Sequence, residues 1–284
     1  HQKRLLQEAL NTAKQANAAK SNFLSRMSHD MRTPLNGIIG LLEIDKNHEE
    51  DTEFLKINRA KANIAANHLL SLINDVLDMS KIEEGELVLS HEPFNMIERG
   101  REIMTMIDTQ AQEQGIITVM DVEPEVYENP YIYGSPLHLS RAMMNIYSNC
   151  IKYNKENGKI HTHIRLLHSD ESRQTYQWTI SDTGIGISEE YLNKIFEPFT
   201  QERTDARSVY HGTGLGMSIA KALFEQMGGS IKISSKLGEG STFVITIPFE
   251  KAKEQKITGT EKAERESIQN IKILLAEDND LNQE

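Results

Sequence analysis

The sequence predicts an α + α/β multidomain chain, in which a helical hairpin forming a dimeric four-helix bundle precedes an α+β domain. Three observations lead to this prediction. Apolar residues recur at helical spacing from the start of the chain to about Ile82, helix-like and strand-like stretches alternate over residues 86–249, and a charged stretch with few large apolar residues follows. With 284 residues, 38% of them hydrophobic, the chain has room for two or three packed domains.

Residues 1–20 are predicted to form a coiled-coil signalling helix that continues into the hairpin. Apolar residues recur at alternating three- and four-residue steps, with Lys20 as the one polar interruption, at Leu6, Ala9, Ala13, Ala16, Phe23 and Met27. No glycine or proline interrupts this pattern before Pro34, which is expected to kink the helix without ending it.

Residues 21–85 are predicted to form an antiparallel helical hairpin. The polar stretch DKNHEED at residues 45–51 is typical of a turn, and helical spacing then resumes up to about Ile82, at Phe54, Ile57, Ile64, Leu72, Val76 and Met79. A single hairpin leaves its apolar stripe uncovered, whereas two hairpins packed as a four-helix bundle cover it. The sequence therefore predicts a homodimer.

Residues 86–250 are predicted to form one α+β domain, because helix-like and strand-like stretches are mixed along it. We expect strands within 86–94, 116–122, 159–168, 174–181, 229–235 and 240–249, and helices near 95–112, 136–153 and 215–227. The charged residues 251–270 are typical of a linker. The final stretch, residues 271–284, is similar to the first strand of a further domain that is cut off.

Composition argues against several classes of protein. Cys150 is the only cysteine, which excludes an intramolecular disulfide and a zinc site built from several cysteines, and fits a reducing cytosol. The net charge of -11 argues against direct nucleic-acid binding, which needs a basic surface. No stretch approaches the roughly 18 consecutive apolar residues of a membrane-spanning helix. These observations favour a soluble segment excised from a longer protein.

The stretch SDTGIGIS at residues 181–188 is a candidate base-binding loop. Asp182 closes a predicted strand, and Gly184 and Gly186 follow at alternate positions, where glycine lets the backbone approach a ligand closely. A carboxylate in an apolar pocket accepts a hydrogen bond from the exocyclic amine of adenine and repels the carbonyl of guanine. A turn without a ligand explains this motif equally well when it is taken alone.

The stretch HGTGLGMSIA at residues 211–220 is a candidate phosphate-binding loop. Gly212, Gly214 and Gly216 directly precede a predicted helix, whose free N–H groups and dipole favour an anion. The spacing is neither that of a P-loop nor that of a Rossmann loop. Taken alone, this loop is weak evidence for a nucleotide.

The helix before these loops carries polar residues suited to a magnesium triphosphate. Asn145, Asn149 and Lys152 follow at steps of four and three residues, so they share one face. An amide oxygen can coordinate Mg²⁺, and an ammonium group can contact phosphate. A solvated helix face is the ordinary alternative, and it is weakened because the same helix also has an apolar side.

The stretch FEPFTQERTDARSVY between the two glycine loops is predicted to be a mobile lid, since it is longer than most connections in compact domains. Phe196 and Phe199 would anchor its start. Arg203 and Arg207 would reach a terminal phosphate, although plain surface charge explains each arginine at least as well.

The stretch SHDMRTPLN at residues 28–36 places a titratable cluster on a helix. Asp30 is placed to hold the proton of one ring nitrogen of His29 and so raise the nucleophilicity of the other. Thr33 lies one turn further on the same face, placed to orient a water molecule against a group carried by His29. His29 is therefore the candidate nucleophile.

Taken together, these stretches resemble the sensor histidine kinases. The H, N, G1, F and G2 boxes of that family are matched in order over roughly residues 21–250 by SNFLSRMSHDMRTPLNGIIG, SPLHLSRAMMNIYSNCIKYN, SDTGIGIS, IFEPFTQ and HGTGLGMSIA, with SKLGEGSTF after them. The resemblance implies an α+β sandwich of the ATPase type shared by gyrase, a heat-shock chaperone and histidine kinases. It also implies ATP-dependent phosphorylation of His29, with ATP and Mg²⁺ as cofactors.

Roles for individual residues follow from the same resemblance. His29, Asp30 and Thr33 would be catalytic, Asn149 would coordinate magnesium, and Asp182 would bind adenine. The full set implied to contact the nucleotide or to shape its cavity is Asn145, Asn149, Lys152, Tyr153, Asp182, Gly184, Gly186, Phe196, Phe199, Arg203, Arg207, Gly212, Thr213, Gly214, Leu215 and Gly216.

The segment 271–284 resembles the start of a receiver domain, which would make the parent protein a hybrid kinase. Glu277 and Asp278 match the acidic magnesium pair of receivers. The phosphoryl group would then pass to a receiver aspartate, in the parent chain or in a separate response regulator, and Thr33 would assist receiver dephosphorylation. The chain would be the cytoplasmic portion of a bacterial-type sensor, with a membrane anchor in the parent protein as one option.

The chain departs from the family pattern at three positions. Ser135 and His138 replace an aspartate and an arginine, which removes a local salt bridge, and Asn154 stands where threonine is common.

Two other functions remain open on sequence alone. One is a non-catalytic dimeric module that binds ATP as a conformational latch. The other is a chaperone or topoisomerase type of ATPase, which would have no use for a histidine on a hairpin. Whether phosphoryl transfer runs within one chain or between partners is also open, because it depends on the handedness of the turn near residues 45–51.

Overall fold

The structure is a computed structural model that describes residues 27–46, 48, 51–198, 200 and 214–253. Its hairpin consists of helix α1, described over residues 27–45, and helix α2, Thr52–Glu83. Helix α1 passes through Pro34 without ending, as expected. The predicted coiled-coil segment, the linker from residue 254 onward and the receiver-like segment lie outside the described residues.

Local contacts fix the turn between the two hairpin helices. Asp51 caps α2 by accepting a hydrogen bond from the Phe54 N–H at 3.0 Å. The Asn58 amide donates to the Asp45 carboxylate at 2.9 Å, and the His48 ring lies 4.5 Å from the Phe54 ring. The chain therefore reverses direction within a few residues, and α1 and α2 run antiparallel.

The hairpin keeps a series of exposed apolar side chains along its two helices. Their exposed fractions range from 37% to 71%, at Leu35, Ile39, Leu42, Ile44, Ile57, Ile64, Leu70, Ile73 and Leu77. An apolar surface of this length is one that a second hairpin would cover.

The second unit combines a seven-stranded sheet with three long helices. In chain order it contains β1 (Glu92–Asn95), α3 (Met96–Glu113), β2 (Ile117–Val122), a 3₁₀ turn (Pro124–Tyr127), β3 (Tyr131–Gly134), α4 (Pro136–Lys152), β4 (Lys159–Ser169), β5 (Arg173–Asp182), α5 (Glu189–Leu192), α6 (Gly216–Gln226), β6 (Ser230–Lys236) and β7 (Gly240–Lys251). The strand order is β1-β3-β7-β5-β4-β2, with β6 also paired to β7. All pairs are antiparallel except β2 with β4.

One face of the sheet carries the core. Side chains of β5 and β7 alternate between buried and partly exposed, as strands with one covered face do. The buried positions include Tyr176, Ile180, Ile245 and Ile247, which pack in one cluster with apolar residues of α3, α4 and α6. The strand expected within residues 86–94 is β1, Glu92–Asn95, whose four residues all pair with β3.

Helix α2 also packs on the second unit. Leu72 is 4% exposed, and Val76, Met79 and Ile82 lie against the apolar cluster of the α+β domain. Arg141 of α4 lies 3.7 Å from the Asp75 carboxylate and forms an ion pair with Asp78, both on α2. In the part of the chain that the structure describes, no helix has both the length and the apolarity that a membrane span requires.

Candidate nucleotide and phosphoacceptor site

A cavity of about 330 Å³ lies at the end of the sheet. Its walls include helix α4, the loop after β5, α5 with the residues after it, the starts of α6 and β7, and helix α2. Its size is within the range of small-molecule sites, and it combines apolar walls with a few polar groups. Of the residues predicted from sequence, the cavity is lined by Asn145, Asn149, Lys152, Tyr153, Asp182, Gly186, Gly214 and Gly216.

Asp182 lies at one end of the cavity with one oxygen already engaged. Its Oδ1 accepts hydrogen bonds from the Gly184 N–H at 2.8 Å and the Ser241 N–H at 3.3 Å. Burial raises the pKa of the Asp182 carboxyl, while those two N–H groups and the Cys150 thiol, all donors, oppose the rise. Both backbone N–H groups bind Oδ1 and neither binds Oδ2, and Ile185, Ile187 and Phe243 supply apolar walls of the same cavity.

The loop after Asp182 needs glycine for steric reasons. Gly186 has φ 70°, and a Cβ there would lie 2.1 Å from the Lys236 carbonyl oxygen. A Cβ at Gly184 would lie 2.4 Å from the Tyr153 carbonyl oxygen. The loop is thus pressed between the end of α4 and the turn from β6 to β7.

We expect Gly186→Ala to destabilise the domain by at least about 2 kcal/mol, because left-handed backbone and a backbone clash add together. Chemical denaturation would measure the change. Gly100→Ala is the matched control: Gly100 lies inside α3, and a Cβ there would meet nothing within 4 Å. That control should raise the free energy of unfolding by about 0.5 to 1 kcal/mol. Equal effects from both substitutions would contradict this account of the loop.

The part of the cavity around Asn145 offers donors for an anion. The Asn145 side-chain nitrogen is buried and has no hydrogen-bond partner among the described residues. Gly214 has φ 69°, and α6 begins at Gly216 beside the Asn145 amide. An orphaned donor and the N-terminus of an eleven-residue helix both fit phosphate oxygens.

Helix α2 closes one side of the cavity, which the sequence did not predict. His68, Ser71, Leu72 and Asp75 follow one another at steps of three, one and three residues, so they share one face of α2. The helical spacing predicts that Leu72 lies on the buried face of α2, but it does not identify the unit against which Leu72 packs. Ser241 and Phe243 of β7 were also missed, although they face the same side of the strand.

Three predicted residues do not line the cavity. Leu215 is fully buried in the core, and Gly184 lies behind Asp182, to whose carboxylate its N–H donates. Phe196 packs against the core, with the Lys221 ammonium 5.5 Å above its ring. Phe199, Arg203, Arg207, Gly212 and Thr213, and with them most of the predicted lid, lie outside the described residues.

His29 stands on α1 with a side chain that is 75% exposed. Its Nδ1 lies 3.2 Å from the Asp30 carboxylate, so a proton on Nδ1 leaves Nε2 with a free lone pair. Thr33 donates its hydroxyl hydrogen bond to the His29 carbonyl at 3.1 Å. His29 thus presents a nucleophilic nitrogen to solvent.

His29 and the α2 wall of the cavity lie at similar heights on the hairpin. His29 is as far along the chain from Asp45, the last helical residue of α1, as His68 is from Thr52, the first residue of α2. At a helical rise of about 1.5 Å per residue, both histidines lie roughly 24 Å from the turn. The His68 edge of the α2 wall therefore lies at the level of His29 on the hairpin.

Comparison with protein families agrees with both halves of this site. Residues 19–85 match the His Kinase A (phospho-acceptor) domain, which contains His29. Residues 134–251 match the histidine kinase-, DNA gyrase B- and HSP90-like ATPase, which contains Asp182 and the glycine loops. The chain belongs to the histidine kinase family.

Several curated histidine kinases are similar to the chain over most of its length. The autoinducer 2 sensor kinase/phosphatase LuxQ of Vibrio vulnificus strain YJ016 is 36% identical over 275 residues, covering 95% of this chain and 31% of that protein. The sensor protein GacS of Pseudomonas syringae pv. syringae is 37% identical over 246 residues, covering 86% and 26%. The chain thus spans about a third or less of the length of these relatives.

Solved structures of histidine kinases also align with this chain. Full-length ShkA in complex with AMPPNP aligns with a TM-score of 0.59 and 29% identity, covering 81% of this chain and 46% of that one. The Acinetobacter baumannii histidine kinase AdeS aligns with a TM-score of 0.55 and 21% identity, covering 77% and 96%. The second match supports the fold alone. Together they confirm a helical hairpin followed by an α/β ATPase domain.

Proposed function

We propose that this histidine kinase chain uses ATP to phosphorylate His29 and passes the phosphoryl group to a receiver aspartate in a two-component phosphorelay. The observation that carries the proposal is the cavity itself. It contains a carboxylate suited to adenine and a group of donors suited to phosphate, and one of its edges, at His68 of α2, lies at the height of His29 on the hairpin. A plain ATPase has no need for a solvent-exposed histidine at that position.

The residues of the cavity fit ATP with magnesium. Asp182 would accept a hydrogen bond from the adenine amine, and Ile185, Ile187 and Phe243 would contact the ring. The orphaned Asn145 nitrogen, Lys152 and the start of α6 would contact phosphate oxygens. The Asn149 side-chain oxygen would hold Mg²⁺, which neutralises phosphate charge during phosphoryl transfer.

The geometry of His29 fits a nucleophile. Its Nε2 lone pair would form the P–N bond as the bond from the γ-phosphorus to the bridging oxygen breaks and ADP leaves with that electron pair. The proton on Nδ1 stays hydrogen-bonded to Asp30, which stabilises the positive charge that develops on the ring. Positioning and electrostatics then supply most of the rate enhancement, as in other phosphoryl transfers.

We propose a homodimer as the active form and a receiver domain as the acceptor. The exposed apolar surface of the hairpin supports the dimer. Glu277 and Asp278, with the receiver-like sequence around them, support a hybrid parent with its own receiver. The matching relative LuxQ is named a kinase/phosphatase, and the exposed Thr33 hydroxyl is our candidate for assisting receiver dephosphorylation. A cytoplasmic position in a bacterial-type sensor completes this proposal.

The test uses ATP labelled at either end of the triphosphate. We expect the purified chain with magnesium to become covalently labelled by [γ-³²P]ATP and to stay unlabelled by [α-³²P]ATP after denaturing electrophoresis. Nucleotide binding without γ-label would contradict kinase activity and favour a latch that only binds ATP. Sustained phosphate release without labelled protein would favour a plain ATPase.

We expect Asp30→Asn to slow labelling by about a hundredfold, near the lower end of the effect of a positioned acid–base group. Asparagine keeps the size of the side chain but loses the charge that stabilises the imidazolium. The affinity for ATP should stay the same, because Asp30 is on α1 and outside the cavity. The measurement is the initial labelling rate at saturating ATP, and an unchanged rate would remove Asp30 from the mechanism.

A further inference from the structure

The residue just beyond the end of α4, Asn154, makes hydrogen bonds with its whole side-chain amide. Its Nδ2 donates to the carbonyl oxygens of Cys150 at 3.0 Å and Lys159 at 3.4 Å. Its Oδ1 accepts from the Lys155 N–H at 3.1 Å and from the Thr183 hydroxyl at 3.1 Å. An amide offers two N–H donors and two oxygen lone pairs, so its full capacity is used.

The turn between α4 and β4 is built around this amide. A Cβ at Gly158 would lie only 2.1 Å from Asn154 Oδ1, so a larger residue has no room there. Asn157 adopts a left-handed backbone with φ 56°, a conformation uncommon outside glycine. The Gly158 N–H closes the turn on the Lys155 carbonyl at 2.9 Å. The local chain therefore holds Asn154 in one orientation.

Thr183 links Asn154 to the candidate base-binding loop by hydrogen bonds. Its hydroxyl, which donates to Asn154, also accepts from the Lys159 N–H at 2.8 Å. Thr183 directly follows Asp182, whose Oδ1 is fixed by backbone N–H groups. A second bond runs in parallel, because the Tyr153 carbonyl accepts from the Ile185 N–H at 3.0 Å. The end of α4 and the Asp182 loop are thus joined at two points.

A second residue near the end of α4, Cys150, also interacts with Asp182. Cys150, one turn before Asn154, is 2% exposed, and its thiol opposes the rise in the pKa of the Asp182 carboxyl. Its carbonyl is the same one that accepts from Asn154. Helix α4 carries Asn145, Asn149 and Lys152 at the phosphate end of the cavity. The residues suited to phosphate and the contacts to the Asp182 loop therefore lie on helix α4 or just after it, within ten residues of each other.

We propose that Asn154 is a positioning residue that sets the placement of Asp182 relative to the phosphate-binding face of α4, and thereby the preference for adenine over guanine. Neither Asn154 nor Thr183 lines the cavity, so both act through Asp182. The inference rests on the proposed function, because it takes a purine nucleotide as the ligand.

The test is direct binding of non-hydrolysable ATP and GTP analogues to the full chain by calorimetry, which requires no phosphoryl transfer. Asn154→Ala should weaken ATP binding about tenfold, the factor expected for losing roughly one net hydrogen bond. The ratio of ATP to GTP affinity should fall by a similar factor. Thr183→Val, which removes the hydroxyl and keeps the side-chain shape, should lower the same ratio by a smaller factor.

The two substitutions share the hydrogen bond between Asn154 and Thr183, although Thr183→Val also removes the acceptor of the Lys159 N–H. We therefore expect the double variant Asn154→Ala with Thr183→Val to lose less ATP affinity than the product of the two single losses. Asn193→Ala is the matched control. The Asn193 amide also donates to a carbonyl four residues earlier, that of Glu189 at 3.3 Å, but it lies at the end of α5. Both affinities should be unchanged in that control.

A purely structural role predicts a different result. The melting temperature and both affinities would then fall in step, the ATP to GTP ratio would stay constant, and the inference would be overturned. Should Asn154→Ala fail to fold, the ratio in Thr183→Val decides the question alone. If the unsubstituted chain binds neither analogue, both the proposed function and this inference are overturned. If the unsubstituted chain prefers ATP and the variants keep the same ratio of ATP to GTP affinity, only the inference is overturned.

Discussion

Replacing His29 with glutamine should abolish covalent labelling by [γ-³²P]ATP while leaving ATP affinity unchanged. Glutamine carries no basic nitrogen lone pair, so no P–N bond can form at this position. The side chain is 75% exposed and lies outside the cavity, so its loss should disturb neither folding nor nucleotide binding. The measurements are the labelling time course and calorimetric binding of an ATP analogue.

His91→Gln is the control for this substitution. His91 is also an exposed histidine beside a carboxylate, with its Nε2 3.6 Å from Glu250, but it precedes β1 in the other unit. Labelling of that variant should match the parent chain. Labelling of His29→Gln at the parent rate would mean that the phosphoryl group is carried by another residue, and the mechanism proposed above would fail.

Replacing Asp182 with asparagine should weaken ATP binding by a factor of about 10 to 100. A hydrogen bond to a charged group contributes about 1.5 to 3 kcal/mol, and about 1.4 kcal/mol corresponds to a factor of ten. The amide also directs a donor at either Gly184 N–H or the adenine amine, which are themselves donors. Calorimetric titration of both chains with an ATP analogue measures this loss.

The pH dependence of binding offers a second readout of Asp182. Burial raises the pKa of its carboxyl, so the carboxylate that would accept from adenine is fully present only above that raised pKa. ATP affinity should therefore fall as the pH is lowered, and the fall should begin at a higher pH than for an ordinary aspartate. Asp182→Asn should lack this component. Asp121→Asn, at an exposed carboxylate beside His161, should retain it.

The elements of the α+β domain could be predicted because their periodicity is local. Helices α3, α4 and α6 and strands β4, β5 and β7 lie within a few residues of the predicted bounds. Within residues 86–94 the local pattern did not say which residues form the strand, because pairing with four-residue β3 decides that it is Glu92–Asn95.

The polar groups of the cavity could be predicted for a similar reason. Asn145, Asn149 and Lys152 share a face of one helix, and Asp182 and Gly186 belong to one loop. The contribution of α2 could not, because it depends on how the hairpin docks on the domain. Arg141 pairs with Asp75 and Asp78, which lie far from it in the chain, and a single sequence carries no signal for such a pair.

The departures from the family pattern also have structural explanations. Ser135 and His138 form a hydrogen bond at 2.7 Å, and the Ser135 hydroxyl meets that of Ser90 at 2.9 Å. A chain of neutral hydrogen bonds thus occupies the place where the family resemblance implied a salt bridge. Burial lowers the pKa of His138, which favours its neutral form in this chain. Asn154, the third departure, joins the end of α4 to the loop after Asp182.

The central claim is that the γ-phosphoryl group of ATP becomes bonded to His29. The most direct measurement is to label the chain with [γ-³²P]ATP, divide it between acid and alkali, and map the phosphopeptide by mass spectrometry at alkaline pH. We predict a label that is lost in acid, survives in alkali and maps to His29, as a phosphoramidate requires. A label that survives acid, or that maps to a serine, threonine or aspartate, would contradict the claim.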